Sequence, residues 1–265
     1  MENYQEFINI LVGLEPVFKK AGQLALSMRE TAVRSNKFNT GIASVDIVTE
    51  ADFAVQEMIL TEIVKTELIN CQLFAEEKTS LALQFKDSNG LVLSLDPIDG
   101  IAIYASTGRF FSVIVSLHDR QRMLYTFCYY PLINWARRIT ADGIFDEGNL
   151  LKVNVKEGID LSKVIAYPVR GPKKIDSVIY NQLLAQGYEF LKASEITNEA
   201  GACTLLFLDQ VAGYYQEGPN PYDGCVAWHY GEVKKFKIYK DLDISTYEPS
   251  ERGPHYSGWY VVLRK

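Results

Sequence analysis

Residues 91–100 read LVLSLDPIDG and pass directly from an apolar run to an acidic segment. The run Leu91–Leu95 predicts a buried strand, because short strands in a core are rich in such residues. We expect that strand to end at Asp96, since Pro97 has no N–H to offer a neighbouring strand. The sequence therefore predicts a carboxylate at the end of a buried strand.

The residues after Pro97 add a second carboxylate to the first. Asp99 and Gly100 form a typical turn pair, which brings two carboxylates and the Ile98 carbonyl toward one point. Carboxylate and carbonyl oxygens are the ligands that Mg²⁺ prefers, often together with a substrate phosphate. A magnesium site is the first interpretation, and a plain surface turn is the alternative.

Two other acidic segments can be read in the same two ways. Residues 74–77, FAEE, end an apolar stretch, so Glu76 is either a metal ligand or one of a solvated pair. Residues 46–52, DIVTEAD, place Asp52 at the start of a helix, where it is either a site residue or half of a capping box with Thr49. Each segment alone is weak evidence.

Apolar spacing predicts the surrounding elements. Apolar residues recur every three or four positions over residues 4–28, which predicts an amphipathic helix, and polar residues 34–44 predict an exposed mobile loop. A second helix is expected over residues 52–68, with these residues buried: Phe53, Met58, Ile59, Ile63 and Val64. Strands are expected over 91–95, 110–117, 123–130, 135–140, 188–191 and 259–263, and helices over 175–186 and 200–210.

Length and composition bound the class of protein. The 265 residues allow one large domain or two small ones, and we expect a single unit with a soft boundary near Leu150 between residues 1–150 and 151–265. The net charge of −6 lacks the basic surplus that binds nucleic acid. An acidic start and the lack of a long apolar run argue against a secretory peptide or membrane span. We expect a cytoplasmic protein.

Together, in this order and spacing, the acidic segments resemble the inositol monophosphatase family of Mg²⁺-dependent, lithium-sensitive phosphatases. Residues 46–52 match D-x-V-T-x-x-D, residues 75–77 match G-E-E except for Ala75, and residues 96–100 match D-P-[IL]-D-G. Residues 214–216 and 222–224 are similar to the family's Y-Y-E and W-D segments. The resemblance implies a layered α/β/α/β/α sandwich, as in inositol monophosphatases and fructose-1,6-bisphosphatases, and a homodimer.

The resemblance also implies the site and its chemistry. It implies two or three Mg²⁺ ions, with Mn²⁺ as a possible substitute, and a small phosphorylated polyol, sugar or related metabolite as substrate. The implied metal ligands are Glu76, Asp96, Asp99, Asp223 and the Ile98 carbonyl. The implied catalytic residues are Asp52, Glu76 and Asp96. The implied substrate contacts are Asp99, Gly100, Ile101, Gln216 and Asp223.

Position 101 departs from the family pattern. The family has threonine there, whose hydroxyl pairs with the carboxylate corresponding to Asp52 and orients water, whereas Ile101 has no hydroxyl. A slow phosphatase is therefore one hypothesis, and a noncatalytic protein that binds metal and a phosphorylated ligand is another. A third is an interaction protein whose acids merely cap helices and turns. Gln216 replaces a family glutamate, and the alignment there could shift to Glu217.

Overall fold

The computed structural model describes residues 4–31, 34–36, 47–106, 108–223, 225–248 and 254–264. Within them the α-helices are α1 (Gln5–Met28), α2 (Glu50–Ile63), α3 (Ile101–Tyr104), α4 (Ser177–Ala185), α5 (Ala193–Ile196), α6 (Ala202–Phe207) and α7 (Val226–Val233). The strands are β1 (Arg34–Asn36), β2 (Ile47–Thr49), β3 (Gln72–Ala75), β4 (Val92–Asp99), β5 (Ser112–His118), β6 (Met123–Tyr130), β7 (Trp135–Thr140), β8 (Gly143–Glu147), β9 (Val164–Tyr167), β10 (Glu189–Lys192), β11 (Gly213–Glu217), β12 (Lys237–Glu248) and β13 (His255–Leu263).

Two large mixed sheets form the frame of the molecule. The first has the order β3-β4-β5-β6-β7-β8, with β3 parallel to β4 and the other neighbours antiparallel. The second has the order β10-β9-β11-β13-β12, in which β10, β9 and β11 are parallel to one another. Strand β13 runs antiparallel to both β11 and β12. The carboxyl ends of three strands and the start of β13 therefore meet at one edge.

Alternating side chains on the strands separate three apolar cores. On β6, Tyr125 and Phe127 face α1 and α2, whereas Cys128 and Tyr130 face α6 and α7 between the sheets. On β11, Tyr214 faces the same middle layer, and the next residue packs with α4 on the outer side. The layers are therefore α1/α2, first sheet, α6/α7, second sheet and α4. This arrangement confirms the predicted layered α/β/α/β/α sandwich.

The structure corrects the prediction for the second helix. Phe53 is 41% exposed, although we expected it to be buried. Ile59 and Ile63 are fully buried as expected, but the buried face of α2 also includes the polar residues Asp52 and Gln56, which apolar spacing does not indicate. The helix also ends at Ile63, and the predicted remainder forms a short 3₁₀ turn at Glu67–Asn70.

Two other expectations need correction. Residues 34–36, expected in a loop, form β1 and pair antiparallel with β2, while residues 37–44 of that stretch lie outside the described residues. Strand β4 does not end at Asp96, because a bulge lets it continue past Pro97. Strands β2, β3, β8, β9, β11 and β12 were not predicted. Of these, β8 and β12 are sheet edges with many exposed polar residues, which leave no apolar pattern.

Two glycines of α1 provide a test of the packing of this helix on the first sheet. A Cβ at Gly22 would lie 2.7 Å from Tyr129 Cδ1, whereas a Cβ at Gly13 would have nothing within 4 Å. The Tyr129 ring has little freedom to move, because its hydroxyl accepts from Gln23 Nε2 at 2.6 Å and donates to Asn134 Oδ1 at 2.9 Å. We expect Gly22→Ala to lower the free energy of unfolding by about 1–3 kcal/mol.

Gly13→Ala is the matched control for this substitution. It should raise the free energy of unfolding by about 0.5–1 kcal/mol, because alanine has the higher helix propensity and meets no neighbour. Urea denaturation of both variants checks the pair. Equal stabilisation by the two alanines would contradict the close contact between α1 and β6.

Candidate functional site

The bulge in β4 determines where its two aspartates lie. Asp96 pairs with Ile114 and Asp99 pairs with Ser112, so one extra residue of β4 is accommodated between them. A backbone N–H from Ile98 donates to Asp96 Oδ1 at 3.0 Å. Bulges of this kind redirect side chains next to functional sites. The bulge therefore brings two acids of one strand to the same place.

Asp99 is fixed by the turn that follows it. The Ser112 hydroxyl donates to Asp99 Oδ2 at 3.1 Å. Gly100 has φ +82°, a left-handed conformation that glycine adopts without strain, and it starts the short helix α3. Ile101 is the first residue of that helix, so its N–H has no acceptor within the helix.

A third aspartate reaches this point from the other half of the chain. The Asn220 side chain holds the approach to Asp223, since its Oδ1 accepts the N–H groups of Tyr222 at 2.9 Å and Asp223 at 3.0 Å. One carboxylate oxygen each of Asp96, Asp99 and Asp223 lies within 4.8 Å of the others. We call these three residues the aspartate cluster.

A second acidic group lies on α2 and the end of β3. It consists of Asp52, Glu76 and Glu77, which again offer carboxylate oxygens within 4.8 Å of one another. Gln56 holds this segment in place, because its Nε2 donates to the Glu77 carbonyl at 2.6 Å and its Oε1 accepts the Glu77 N–H at 2.9 Å. The polar buried face of α2 thus positions the second acidic group.

The environment of the aspartate cluster disfavours its negative charge. Burial, followed by the charges of Glu76 and Asp99, raises the pKa of Asp96 well above its ordinary value. Burial, followed by the charges of Asp99 and Glu76, raises the pKa of Asp223 in the same direction. For Asp99, burial outweighs the hydrogen bond from Ser112 and raises the pKa to about 6. The described residues place no lysine or arginine in an ion pair with the cluster.

The donor set fits a divalent cation. Asp223 Oδ1 is buried and has no hydrogen-bond partner among the described residues. A buried carboxylate oxygen in this state costs free energy unless a cation or donor meets it. Clustered carboxylate oxygens suit hard cations such as Mg²⁺ or Ca²⁺.

A cavity of about 700 Å³ opens over the aspartate cluster. Eight of the residues singled out in the sequence line it: Glu76, Asp96, Ile98, Asp99, Gly100, Ile101, Gln216 and Asp223. Asp52 is not among its lining residues and lies instead in the second acidic group, next to Glu76. The charge of Asp52 still contributes to the raised pKa of Asp96.

The hydroxyl of Ser106, which follows Ile101 closely in the sequence, is already engaged. Ser106 lines the cavity, yet its hydroxyl donates to the Ile103 carbonyl at 3.1 Å and accepts the Gly108 N–H at 3.3 Å. Thr107, the other hydroxyl that follows in sequence, lies outside the described residues.

The two residues at the end of β11 lie on opposite faces of its sheet. Gln216 shares the inner face with Tyr214, whose hydroxyl donates to Gln216 Oε1. Glu217 shares the outer face with Tyr215, and its Oε2 accepts from the Tyr215 hydroxyl at 3.2 Å and the Lys174 N–H at 3.2 Å. Both residues line the cavity, and Gln216 does so from the inner face of the sheet, which it shares with Tyr214.

Sequence reasoning missed several residues of the site and of its cavity. Glu77 belongs to the second acidic group, and Asn220 positions Asp223. Arg170, Lys192 and His255 line the cavity as well, although they are far apart in the chain. No local sequence pattern indicates these three residues, because each is a single basic side chain near the end or the start of a strand.

The fold and site define a layered α/β protein with an acidic centre at the base of a cavity. Comparisons with known proteins identify its family. The model of the inositol monophosphatase family matches residues 4–229. Human inositol monophosphatase 2 is 25% identical over 225 residues, which cover 80% of this chain and 76% of that protein. The chain therefore belongs to the inositol monophosphatase family.

Solved structures show the same fold. Staphylococcal IMPase-I complexed with products is similar with a TM-score of 0.64 and 15% identity, over 99% of this chain and 92% of that chain. An IMPase/NADP phosphatase complexed with Mg²⁺ and phosphate has a TM-score of 0.63 and 14% identity, over 98% and 91% of the two chains. Across the described residues of the present chain, no helix has both the length and the apolar character needed to cross a membrane.

The raised pKa values predict a pH dependence for the metal-free protein. Between about pH 4 and 6 the folded state keeps a proton on Asp99 that the unfolded state has lost, so the free energy of unfolding falls as pH rises through this window. Asp96→Asn removes one of the repelling charges. In chelator at pH 7 it should raise the free energy of unfolding by about 1–2 kcal/mol, with a smaller gain at pH 4.5.

Urea denaturation in chelator at both pH values measures this effect. Asp142→Asn is the control, because Asp142 is exposed on a turn away from the cavity and should change stability little. If Asp96→Asn destabilised the protein at pH 7, the repulsion inferred for the aspartate cluster would be absent.

Proposed function

We propose that this protein is a Mg²⁺-dependent phosphomonoesterase that acts on a small phosphorylated polyol, sugar or related metabolite. Family membership supports a phosphatase of a small phosphorylated substrate. The observation that carries the proposal is the meeting of Asp96, Asp99 and Asp223 beneath one cavity. Such an arrangement suits a cation that also binds a phosphate oxygen.

The proposed metal ligands come from both halves of the chain. They are Glu76, Asp96, Asp99, Asp223 and the Ile98 carbonyl, all of which line the cavity. When bound, Mg²⁺ would polarise the phosphoryl group and make a water more acidic. From the family resemblance we predict that two or three Mg²⁺ ions bind and that Mn²⁺ can substitute for Mg²⁺.

The chain's own groups are assigned the remaining tasks. The backbone N–H of Ile101, and that of Gly100 before it, would donate to phosphate oxygens at the start of α3. Asp52 would accept a hydrogen bond from the attacking water, and Gln216 would contact the hydroxyl groups of the substrate. In the second acidic group Asp52 would therefore orient the water, whereas Glu76 would join the aspartate cluster as a metal ligand.

The isoleucine at position 101 decides between an enzyme and a noncatalytic binding protein. It keeps the backbone N–H but removes a hydroxyl that would hold water. Assistance by a general base contributes about 10² to 10⁴ in rate, so its partial loss leaves a slow enzyme. Because the implied metal ligands are all present, we favour slow turnover.

Other predictions concern the whole protein and its surroundings. We predict a homodimer, which light scattering would check, and a cytoplasmic location. The soft boundary near Leu150 within a single unit stays a prediction, as does the exclusion of nucleic acid and membrane as partners.

Metal-dependent phosphate release is the direct test of the proposed function. With a panel of polyol, sugar and nucleoside phosphates, release should require Mg²⁺ and stop in excess chelator. Asp96→Asn should lower kcat/KM at least about 100-fold, because a ligand of the proposed site loses its charge. Asp142→Asn should leave kcat/KM unchanged within about twofold. Equal release with chelator and with Mg²⁺ would refute the proposal.

Position 101 offers a separate test with a close control. Ile101→Thr restores a hydroxyl and should raise kcat about tenfold or more, with little change in KM. Ile101→Val keeps the branched shape without the hydroxyl and should not raise kcat. Single-turnover phosphate release measures both variants, and a fall in kcat for Ile101→Thr would show that another group orients the water.

A further inference from the structure

The sheet topology gathers basic residues at one edge of the second sheet. Strands β9, β10 and β11 are parallel, so their carboxyl ends share this edge with the start of the antiparallel β13. Arg170 follows β9, Lys192 ends β10, and His255 begins β13. All three line the same cavity as the aspartate cluster. We call these three residues the basic edge.

Gly218, just after β11, shows how closely two members of the basic edge approach each other. A Cβ built on this glycine would lie 3.1 Å from Arg170 Nη1 and 3.5 Å from His255 Cδ2. Both side chains therefore pack against the same backbone point, and the guanidinium lies across the end of β11. The guanidinium of Arg170 therefore brings positive charge to the wall of the cavity that Asp223 also lines.

The polar groups of the basic edge have unused hydrogen-bonding capacity. Within the described parts of the chain, neither Arg170 nor Lys192 forms an ion pair. His255 Nδ1 is buried without a hydrogen-bond partner among those residues, and its Nε2 lies 3.8 Å from Glu248 Oε2. Glu217, the acid beside them, is already engaged by Tyr215 and the Lys174 backbone.

The cavity is large enough for a ligand that contacts both the aspartate cluster and the basic edge. Its volume of about 700 Å³ lies within the range of about 300–1,000 Å³ typical of sites for ligands much larger than a phosphate ion. The aspartate cluster would attract a cation and the phosphate to be cleaved. Partly buried guanidinium and ammonium groups without ion-pair partners attract a different anion.

We propose that the substrate carries a second anionic group, a phosphate or carboxylate, which the basic edge binds while the ester to be cleaved lies over the aspartate cluster. This inference rests on the proposed phosphatase function for its kinetic test. Arg170 and Lys192 are then specificity-determining residues: they select esters with two anionic groups over esters with one.

The test compares matched esters that differ by one phosphate. Hexose and nucleoside monophosphates are assayed against the corresponding bisphosphates with Mg²⁺ and the full-length protein. The wild type should show at least about tenfold higher kcat/KM for the bisphosphates, mainly through KM. Arg170→Gln and Lys192→Gln, alone and together, should reduce this preference to about threefold or less. Lys173→Gln, an exposed charge in the same loop as Arg170, should keep the preference.

The possible outcomes separate this inference from the proposed function. Equal kcat/KM for mono- and bisphosphates in the wild type would overturn it, as would equal losses for both classes in the variants, since the basic edge would then bind the cleaved phosphate. If no ester is hydrolysed, the proposed function fails. Calorimetry with the same pairs of esters then tests the second-anion site without turnover. A lower Kd for the bisphosphates than for the monophosphates, lost in Arg170→Gln, supports the site. Equal Kd values for the two classes refute it.

Discussion

Mutual repulsion among buried carboxylates is the constraint on which the rest of this site depends. Asp96, Asp99 and Asp223 meet within 4.8 Å although burial already disfavours their charge. Uncharged groups such as Ser112 and Asn220 hold these acids in position, but they do not neutralise the negative charge. Repulsion among the carboxylates consequently destabilises the metal-free protein at neutral pH, and a bound divalent cation would compensate that repulsion.

Local sequence information was enough for part of the fold and part of the site. The strand leading into Asp96 and the long helix α1 follow from apolar runs and apolar spacing. The buried face of α2 does not, because Asp52 and Gln56 occupy positions where a helix without a site would bury apolar residues. Edge strands such as β12 also escape prediction, since their exposed polar residues leave no apolar pattern.

Residues that are far apart in the chain but meet in the fold could not be predicted from one sequence alone. Asp223 was assigned to the site through family resemblance, since its separation from Asp99 along the chain carries no geometric signal. The basic edge had neither a motif nor a resemblance to indicate it. The sequence singled out neither Arg170 nor Lys192, which come together only because β9 and β10 pair in parallel. The resemblance pointed to the acidic ligands, whereas the basic edge became visible only in the three-dimensional arrangement.

The position of α7 gives the site a mechanical consequence. This helix begins just after Asp223, whose carbonyl accepts the Val226 N–H at 3.1 Å, and its residues pack in the core between the two sheets. Asp96 and Asp99, by contrast, are anchored to the first sheet through β4. A cation bound by these carboxylates would connect α7 to the first sheet. Its binding would therefore stabilise the position of α7 relative to that sheet. By thermodynamic linkage, cation binding would favour the packed arrangement of these two layers, and that arrangement would favour cation binding.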